Sequence, residues 1–240
     1  MRNYLILAAA AVLIAFILRD AVIKRNRGEN TITVTGLGKK DFTSDLIVWS
    51  GNFSKKNYNL KEAYAELDND REILKKYLAT KGIPEKNMVF SAVNINRDIN
   101  SEYDASTGRT RNTFTGFNLT QTVQVESNEV DKVEDISRAV TEIINQGVEF
   151  YSNTPEYYYT KLAELKVEMI AEATADANNR AKMIAENANA KIGKLKKASM
   201  GVFQIIAQNS SEDFSWGGSF NTYSKKKTAT ITTRLEYEVK

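Results

Sequence analysis

Four carboxylates, Glu66, Asp68, Asp70 and Glu72, fall within seven residues of one another. Acids at such spacing can hold a cation or divide the work of general acid and general base. The same stretch carries apolar residues at helical intervals (Leu60, Ala63, Tyr64, Leu67, Leu74, Tyr77, Leu78), with Lys75 and Lys76 close behind. The acids therefore map to the outer side of an amphipathic helix, where a solvated charged face is expected. Gly36-Leu37-Gly38-Lys39-Lys40 has the look of a phosphate cradle. A P-loop, however, needs Gly-x-x-x-x-Gly-Lys-Ser/Thr opening a helix. Here the spacing differs and a strand follows, so a plain turn is expected. Tyr157-Tyr158-Tyr159, with Tyr151, gathers aromatics at a helix start. A core edge with wetted hydroxyls is expected there ahead of a ligand platform. The chain has no His and no Cys, which removes imidazole and thiolate mechanisms and any disulfide. No catalytic, cofactor-binding or metal-binding residue emerges, and no cofactor is expected.

Two polar stretches, residues 98–112 and 209–224, are long for loops of a compact domain, and such loops are usually functional or disordered. The second carries Phe214, Trp216 and Phe220 among Gly and Ser, with no periodic reason to be buried. These three are candidates for contact with a partner or a second copy. Ala173, Ala177 and Ala181, continued by Ala185 and Ala188, form a stripe of small residues on a helix. Such a stripe permits close approach to a neighbouring surface. Packing on the chain's own sheet is the expected use, and contact between subunits is the other.

The elements that must position these groups follow from periodicity. Residues 31–35 alternate as a strand ended by Gly36-Leu37-Gly38, and residues 45–53 form a second strand with Ile47, Trp49 and Phe53 on one face. A helix follows, opened by Asn59 with Glu62 and stopped by Gly82 and Pro84. A strand over residues 89–95, the first polar loop and a long strand to Val125 come next. Residues 129–145 read as a helix closed by Gly147. Thr154 and Pro155 read as the cap and first residue of the longest helix, running to about Ala190. Strands over residues 195–208 and 227–240 finish the chain; Ala229, Ile231, Thr233, Leu235, Tyr237 and Val239 point inward on the last. Strand, helix, Lys81-Gly82-Ile83, strand recurs as strand, helix, Gln146-Gly147-Val148, strand. The expected fold is α+β, with duplicated strand–helix–strand units, largely antiparallel sheet and one long Ala-rich helix.

Ahead of this domain (residues 30–240), residues 1–29 read as a membrane anchor or signal. Residues 4–18 form an uninterrupted apolar run, with Leu5, Leu7, Val12, Leu13, Ile14, Phe16 and Ile17 as its lipid-facing bulk. It reaches spanning length if Arg19 snorkels. An uncleaved transmembrane helix is favoured over a cleaved signal peptide, because the small-x-small pattern lies inside the run and not after it. Residues 1–29 hold five of the 33 bases and two of the 30 acids, so the folded part is neutral and the positive excess flanks the apolar run. That placement fits a membrane surface and excludes a typical nucleic-acid binder.

The ordered motifs resemble the SIMPL (DUF541) family. Ile32-Thr33-Val34-Thr35-Gly36-Leu37-Gly38 is similar to its opening strand and Gly-x-Gly turn, and Asp45 follows at the usual distance, with Ser44 where a proline is common. Lys81-Gly82-Ile83-Pro84 and Gly116-Phe117 fit as well. The most specific piece is the alanine-rich helix over residues 171–190, with Asp176-Ala177, leaving through Lys191-Ile192-Gly193-Lys194-Leu195. The resemblance implies a bacterial periplasmic or membrane-associated protein. Some members are surface antigens, some are linked to oxidative-stress defence and some assemble into channel-like rings. It carries no settled catalytic activity. Arg19, Lys24, Arg25 and Arg27 would by the positive-inside rule hold the domain in the cytoplasm. The resemblance spans the whole domain and outweighs those four residues. The expectation is a single-pass, non-enzymatic envelope protein with its domain outside the cytoplasm, forming a homo-oligomer. The alternatives are a monomeric binding module for a small molecule or envelope protein, and an envelope enzyme with a carboxylate, Lys, Ser or Tyr site. No nucleic-acid partner is expected, and the ligand is open.

Overall fold

A computed structural model describes residues 14, 15, 17–19, 30–106, 108–212 and 215–240. The anchor residues Leu5, Leu7, Val12, Leu13 and Phe16 lie outside the described residues, as does Phe214. Ile14 and Ile17 are helical and exposed. Among the described residues no helix is long and apolar enough to cross a membrane.

Two sheets carry the fold. The first contains β1 (Thr31–Thr43), β8 (Ile192–Met200), β9 (Gln204–Ala207), β10 (Ser219–Phe220) and β11 (Lys226–Val239). The second contains β2 (Leu46–Asn57), β3 (Met88–Phe90), β4 (Asn94–Asp104), β5 (Arg109–Ser127), β6 (Phe150–Ser152) and β7 (Glu156–Tyr158). Every pairing is antiparallel except β9 with β10, so the α+β class with antiparallel sheets holds. Ser44 and Asp45 carry the chain from one sheet to the other: Ser44 N–H donates to the Lys225 carbonyl and Asp45 N–H to the Tyr158 carbonyl.

Helix α1 (Leu60–Thr80) forms where the apolar period turns helical. Asn59 caps it by accepting from Lys61 N–H at 2.9 Å, and Gly82, at φ 84°, ends it in the left-handed turn that favours glycine. Helix α2 (Val130–Ala139) runs into a 3-10 stretch ending at Gly147. Both bury large residues (Leu67, Leu74, Leu78, Val133, Ile136, Val140) against Trp49, Phe53, Val123 and Val125 of the second sheet.

Helix α3 (Leu162–Asn187) is shorter at its start than the sequence predicts. Pro155 precedes a strand, not a helix. Tyr157 pairs with Ile47 of β2 and sinks into the core, and Asp45 accepts from both Thr160 N–H and Thr160 Oγ, each at 2.7 Å, just ahead of the helix. Three further expectations change. The predicted single strand over residues 195–208 is two, broken at Gly201, where the chain passes close against Thr232. The polar stretch 98–112 is no loop: β4 and β5 pair through it, from Asn94 opposite Thr120 to Asp104 opposite Arg109. Gly36-Leu37-Gly38 is no turn either, but the middle of β1.

The reason for those glycines lies on α3. The buried face of α3 is Leu165, Met169, Ala173, Ala177, Ala181 and Ala185, set against β1 and β11. A Cβ on Gly36 would collide with the Ala173 carbonyl and the Ala177 nitrogen and come within 2.8 Å of the Ala177 Cβ. One on Gly38 would strike the Met169 carbonyl. Glycine on the strand and alanine on the helix together let two backbones touch. Asp176 closes the crossing by accepting from the Leu37 amide at 2.8 Å. That bond, and then Arg180 at 2.9 Å, hold its carboxyl below the ordinary range.

Candidate functional site

The face of the first sheet turned away from α3, which no described element covers, is the strongest candidate surface. Alternation sends Val34, Gly36 and Gly38 toward α3 and leaves Thr33, Thr35, Leu37 and Lys39 exposed. On β11 the same rule buries Ala229, Ile231, Thr233, Leu235 and Tyr237 and exposes Thr232 and Arg234. Register then builds rows across three strands. Thr33 lies opposite Glu236, which lies opposite Lys197; Thr35 lies opposite Arg234, which lies opposite Ser199. Thr33, Lys197, Ser199, Arg234 and Glu236 line a polar groove of about 180 Å³.

Two residues further along each strand the floor turns apolar. Leu37, Val202, Ile231 and Trp216, with Thr230 and Thr232, line an open cavity of about 520 Å³. Trp216 is 100% exposed, yet the chain beside it is braced. The buried Gln204 amide donates to the Ser215 carbonyl at 2.7 Å and accepts from Ser215 N–H at 3.2 Å. Gly218, at φ 94°, turns the chain after it. An indole held out in water on a braced turn costs apolar exposure without any return from the fold itself.

The other sequence candidates separate from this groove. Phe220 lies at the seam between the sheets, its ring 6.5 Å from that of Tyr158, and does not line the cavity around Trp216. Ala173, Ala177 and Ala181 are fully buried against the chain's own sheet, which leaves none of their surface for a second subunit. Of the carboxylate cluster, Asp70 does not face solvent: it is 3% exposed, with its carboxyl 3.1 Å from Lys55 of β2. Burial raises its pKa against the pull of Lys55. Lys55 also donates to the Gly147 carbonyl at 3.1 Å, so the pair ties β2, α1 and the end of the 3-10 stretch together. Among the described residues no group of three or more metal-ligating side chains is close enough to hold an ion.

Sequence reasoning missed one group outright. Lys227 is 1% exposed, donates to the Tyr157 carbonyl at 2.5 Å and lies 5.6 Å from the Phe220 ring. Burial alone brings its pKa down to about 8. Its neighbour Lys225 pairs with Asp131 and Glu134 of α2. Lys227 of β11 and Lys225 just before it thus reach from the five-stranded sheet to β7 and α2 on the side of the six-stranded sheet. The alternation of β11 itself was the available signal, since it places Lys227 on the inward face with Ala229 and Ile231.

No curated protein matches the chain. The SIMPL family, described as a protein of unknown function (DUF541), matches residues 32–235. That span begins at β1 and ends in β11, so it takes in both sheets, the Gly-x-Gly strand and the alanine helix that locks onto it. The chain belongs to the SIMPL (DUF541) family.

Proposed function

We propose that the protein is a non-enzymatic, membrane-tethered component of the bacterial envelope whose domain stands outside the cytoplasm and self-assembles. The observation that carries the reading is the β4–β5 arm. From Ile99 to Thr113 the ribbon is almost wholly exposed, and Ile99 and Tyr103 stand in water. A two-stranded ribbon on its own is marginal in water. Among the described residues its outer strand β4 pairs with β5 alone and so leaves a free edge, a surface that natural proteins cover or blunt. At its root Tyr58, Leu60, Tyr64 and Ile95 add exposed apolar surface. A second copy covering the arm would bury these groups and pair the edge.

The apolar run of residues 4–18 and the basic residues after it support the tether. The absence of His and Cys from the sequence supports a role without imidazole or thiolate chemistry. In the second sheet β2–α1–β3 and β5–α2–β6 exchange their outer strands, β3 pairing with β5 and β6 with β2, which supports a duplication.

The test is particle mass of the full chain in detergent, beside residues 30–240 and an arm-less variant. Replacing residues 101–112 by Asn-Gly joins the paired Asn100 and Thr113 in a two-residue hairpin turn. A discrete oligomer in the first two and monomers in the third is the expected outcome. Monomers in all three would end the reading. An oligomer that survives loss of the arm moves the contact elsewhere.

A further inference from the structure

We propose that the face of the five-stranded sheet turned away from α3, with Trp216 at its end, binds a neutral oligosaccharide chain. This does not depend on self-assembly, because no residue of the arm lines the groove.

The groove carries unused hydrogen-bonding capacity. The side chains of Thr33, Lys197, Ser199, Arg234 and Glu236 line one groove, and none makes a side-chain hydrogen bond or ion pair of normal geometry to a described residue. Some charged groups elsewhere on the surface are paired, Lys40 with Glu168, Lys75 with Glu85 and Lys81 with Glu142, whereas here five polar groups with no such partner share one groove. The groove offers cationic donors (Lys197, Arg234), an anionic acceptor (Glu236) and hydroxyls that do both. Its charge is nearly balanced. A polyanion would meet Glu236, and a polycation would meet Arg234 and Lys197. An apolar helix or sheet face would bury all five groups unpaired, at a cost that excludes it. A sugar hydroxyl donates and accepts at once, so a chain of neutral sugars satisfies the whole set.

The second requirement is a flat apolar surface, because a pyranose ring presents C–H groups on one face. Trp216 supplies it. The indole is fully exposed, its turn is pinned by the Gln204–Ser215 pair, and Leu37 and Val202 floor the space beside it. Gly201, opposite Thr232, has no side chain to fill the strip between the two parts of the groove. From Thr33 to Leu37 the floor runs about 13 Å at roughly 3.3 Å per residue, and the indole lies past it. That length accepts several sugar units in an extended line.

The experiment uses the full chain in a detergent whose head group is not a sugar. Chitohexaose, cellohexaose and maltohexaose are titrated by calorimetry and by tryptophan emission. The chain has two tryptophans, and Trp49 is fully buried, so a change in emission reports Trp216. Expected is saturable binding of at least one hexasaccharide with a blue shift. In calorimetry, Trp216→Ala should weaken it at least tenfold, Trp216→Phe less, and Arg234→Gln and Glu236→Gln several-fold each. Because these side chains are at the surface, the variants keep the fold, which circular dichroism checks. Binding of none of the three sugars would overturn the proposal. So would equal binding by Trp216→Ala. Tighter binding of polyglutamate or polylysine than of any sugar would replace it with docking of a charged peptide. A failure here leaves the mass measurement on the arm untouched, and the reverse holds.

Discussion

Against the six-stranded sheet, α1 and α2 bring Leu67, Leu74, Leu78, Val133 and Ile136 to meet Trp49, Phe53 and Val125. Against the five-stranded sheet, most of α3 brings alanines to meet glycines. The first half fills its interior with side-chain volume, each large residue contributing about 1.5–3 kcal/mol of burial. In the second half large residues such as Leu165, Met169, Ile231 and Leu235 are still buried, but the crossing of α3 over β1 has little side-chain volume and gains instead from backbone proximity, where many weak contacts accumulate at short range. The two solutions have opposite weaknesses. A volume-filled core is damaged by truncation, and a backbone-to-backbone crossing is damaged by enlargement.

The largest expected effect breaks the second half. Gly36→Leu must push α3 away from β1, since the obstacles are main-chain atoms of Ala173 and Ala177 that cannot rotate aside. A loss of about 4 kcal/mol is expected, beyond the usual range for overpacking because no rotamer relieves it. Urea denaturation of the full chain in detergent measures it; a loss under half that figure would mean the helix is not held where the glycines place it. Leu74→Ala is the mirror experiment in the first half. Leu74 is fully buried, and its truncation should cost about 3 kcal/mol. Leu74→Met, close in volume, should cost less than about 1.5 kcal/mol. A Met variant as damaged as the Ala variant would contradict the volume account.

The two halves were unequally legible from the sequence. In the first half the pattern is ordinary: Ile47, Trp49 and Phe53 alternate on β2, and α1 announces both ends through Asn59 and Gly82. In the second half the last strand and the Ala stripe were readable, but Gly36-Leu37-Gly38 read as a turn. Its partner Asp176 is 139 residues away, so nothing local shows why glycine stands in a strand. The arm was missed for a different reason. A ribbon wet on both faces has no hydrophobic alternation to detect. Thr154-Pro155 carried a valid helix start, overridden because Tyr157 finds a strand partner in Ile47. Asp70 read as solvated because charge is usually exposed, and Lys227 drew no reading beyond opening the last strand; only the tertiary fold supplies Lys55 and the Tyr157 carbonyl. Trp216 was legible as an aromatic without a periodic reason for burial, whereas the groove beside it comes from three strands far apart in sequence.

At the seam between the halves, Lys227 tests whether they are joined by charge or by packing. Lys227→Met removes the cost of burying an ammonium group and should stabilise the fold by about 2 kcal/mol near neutral pH. The sign with pH follows from burial. The folded lysine loses its proton near pH 8 and the unfolded one near 10.5. Between those values the unfolded chain binds more protons, so stability rises with pH. Tyr77, Tyr151, Tyr157 and Tyr158 have raised values and act in the opposite sense above about pH 10. The readout is therefore the difference between parent and Lys227→Met profiles, expected to shrink from pH 8 upward. A constant difference would mean that the ammonium stays charged in the fold.

The smallest effect sharpens the comparison most, because it probes alignment and not bulk. Asp176→Ala removes the acceptor of the Leu37 amide and of Arg180, and should cost about 1 kcal/mol at neutral pH. The carboxyl sits below its ordinary 3.8 in the fold, so its contribution is present above that pH and fades as pH falls through the lower folded value. Parent and variant should therefore converge in stability below pH 3.8. Amide exchange gives the residue-level check. β1 is an edge strand, and Asp176 holds the Leu37 N–H at 2.8 Å. That amide should exchange much faster in the variant while buried amides of β2 keep their protection. If Leu37 exchanges equally fast in both proteins, the carboxylate does not hold the crossing, and the glycine–alanine contact alone sets where α3 lies on β1.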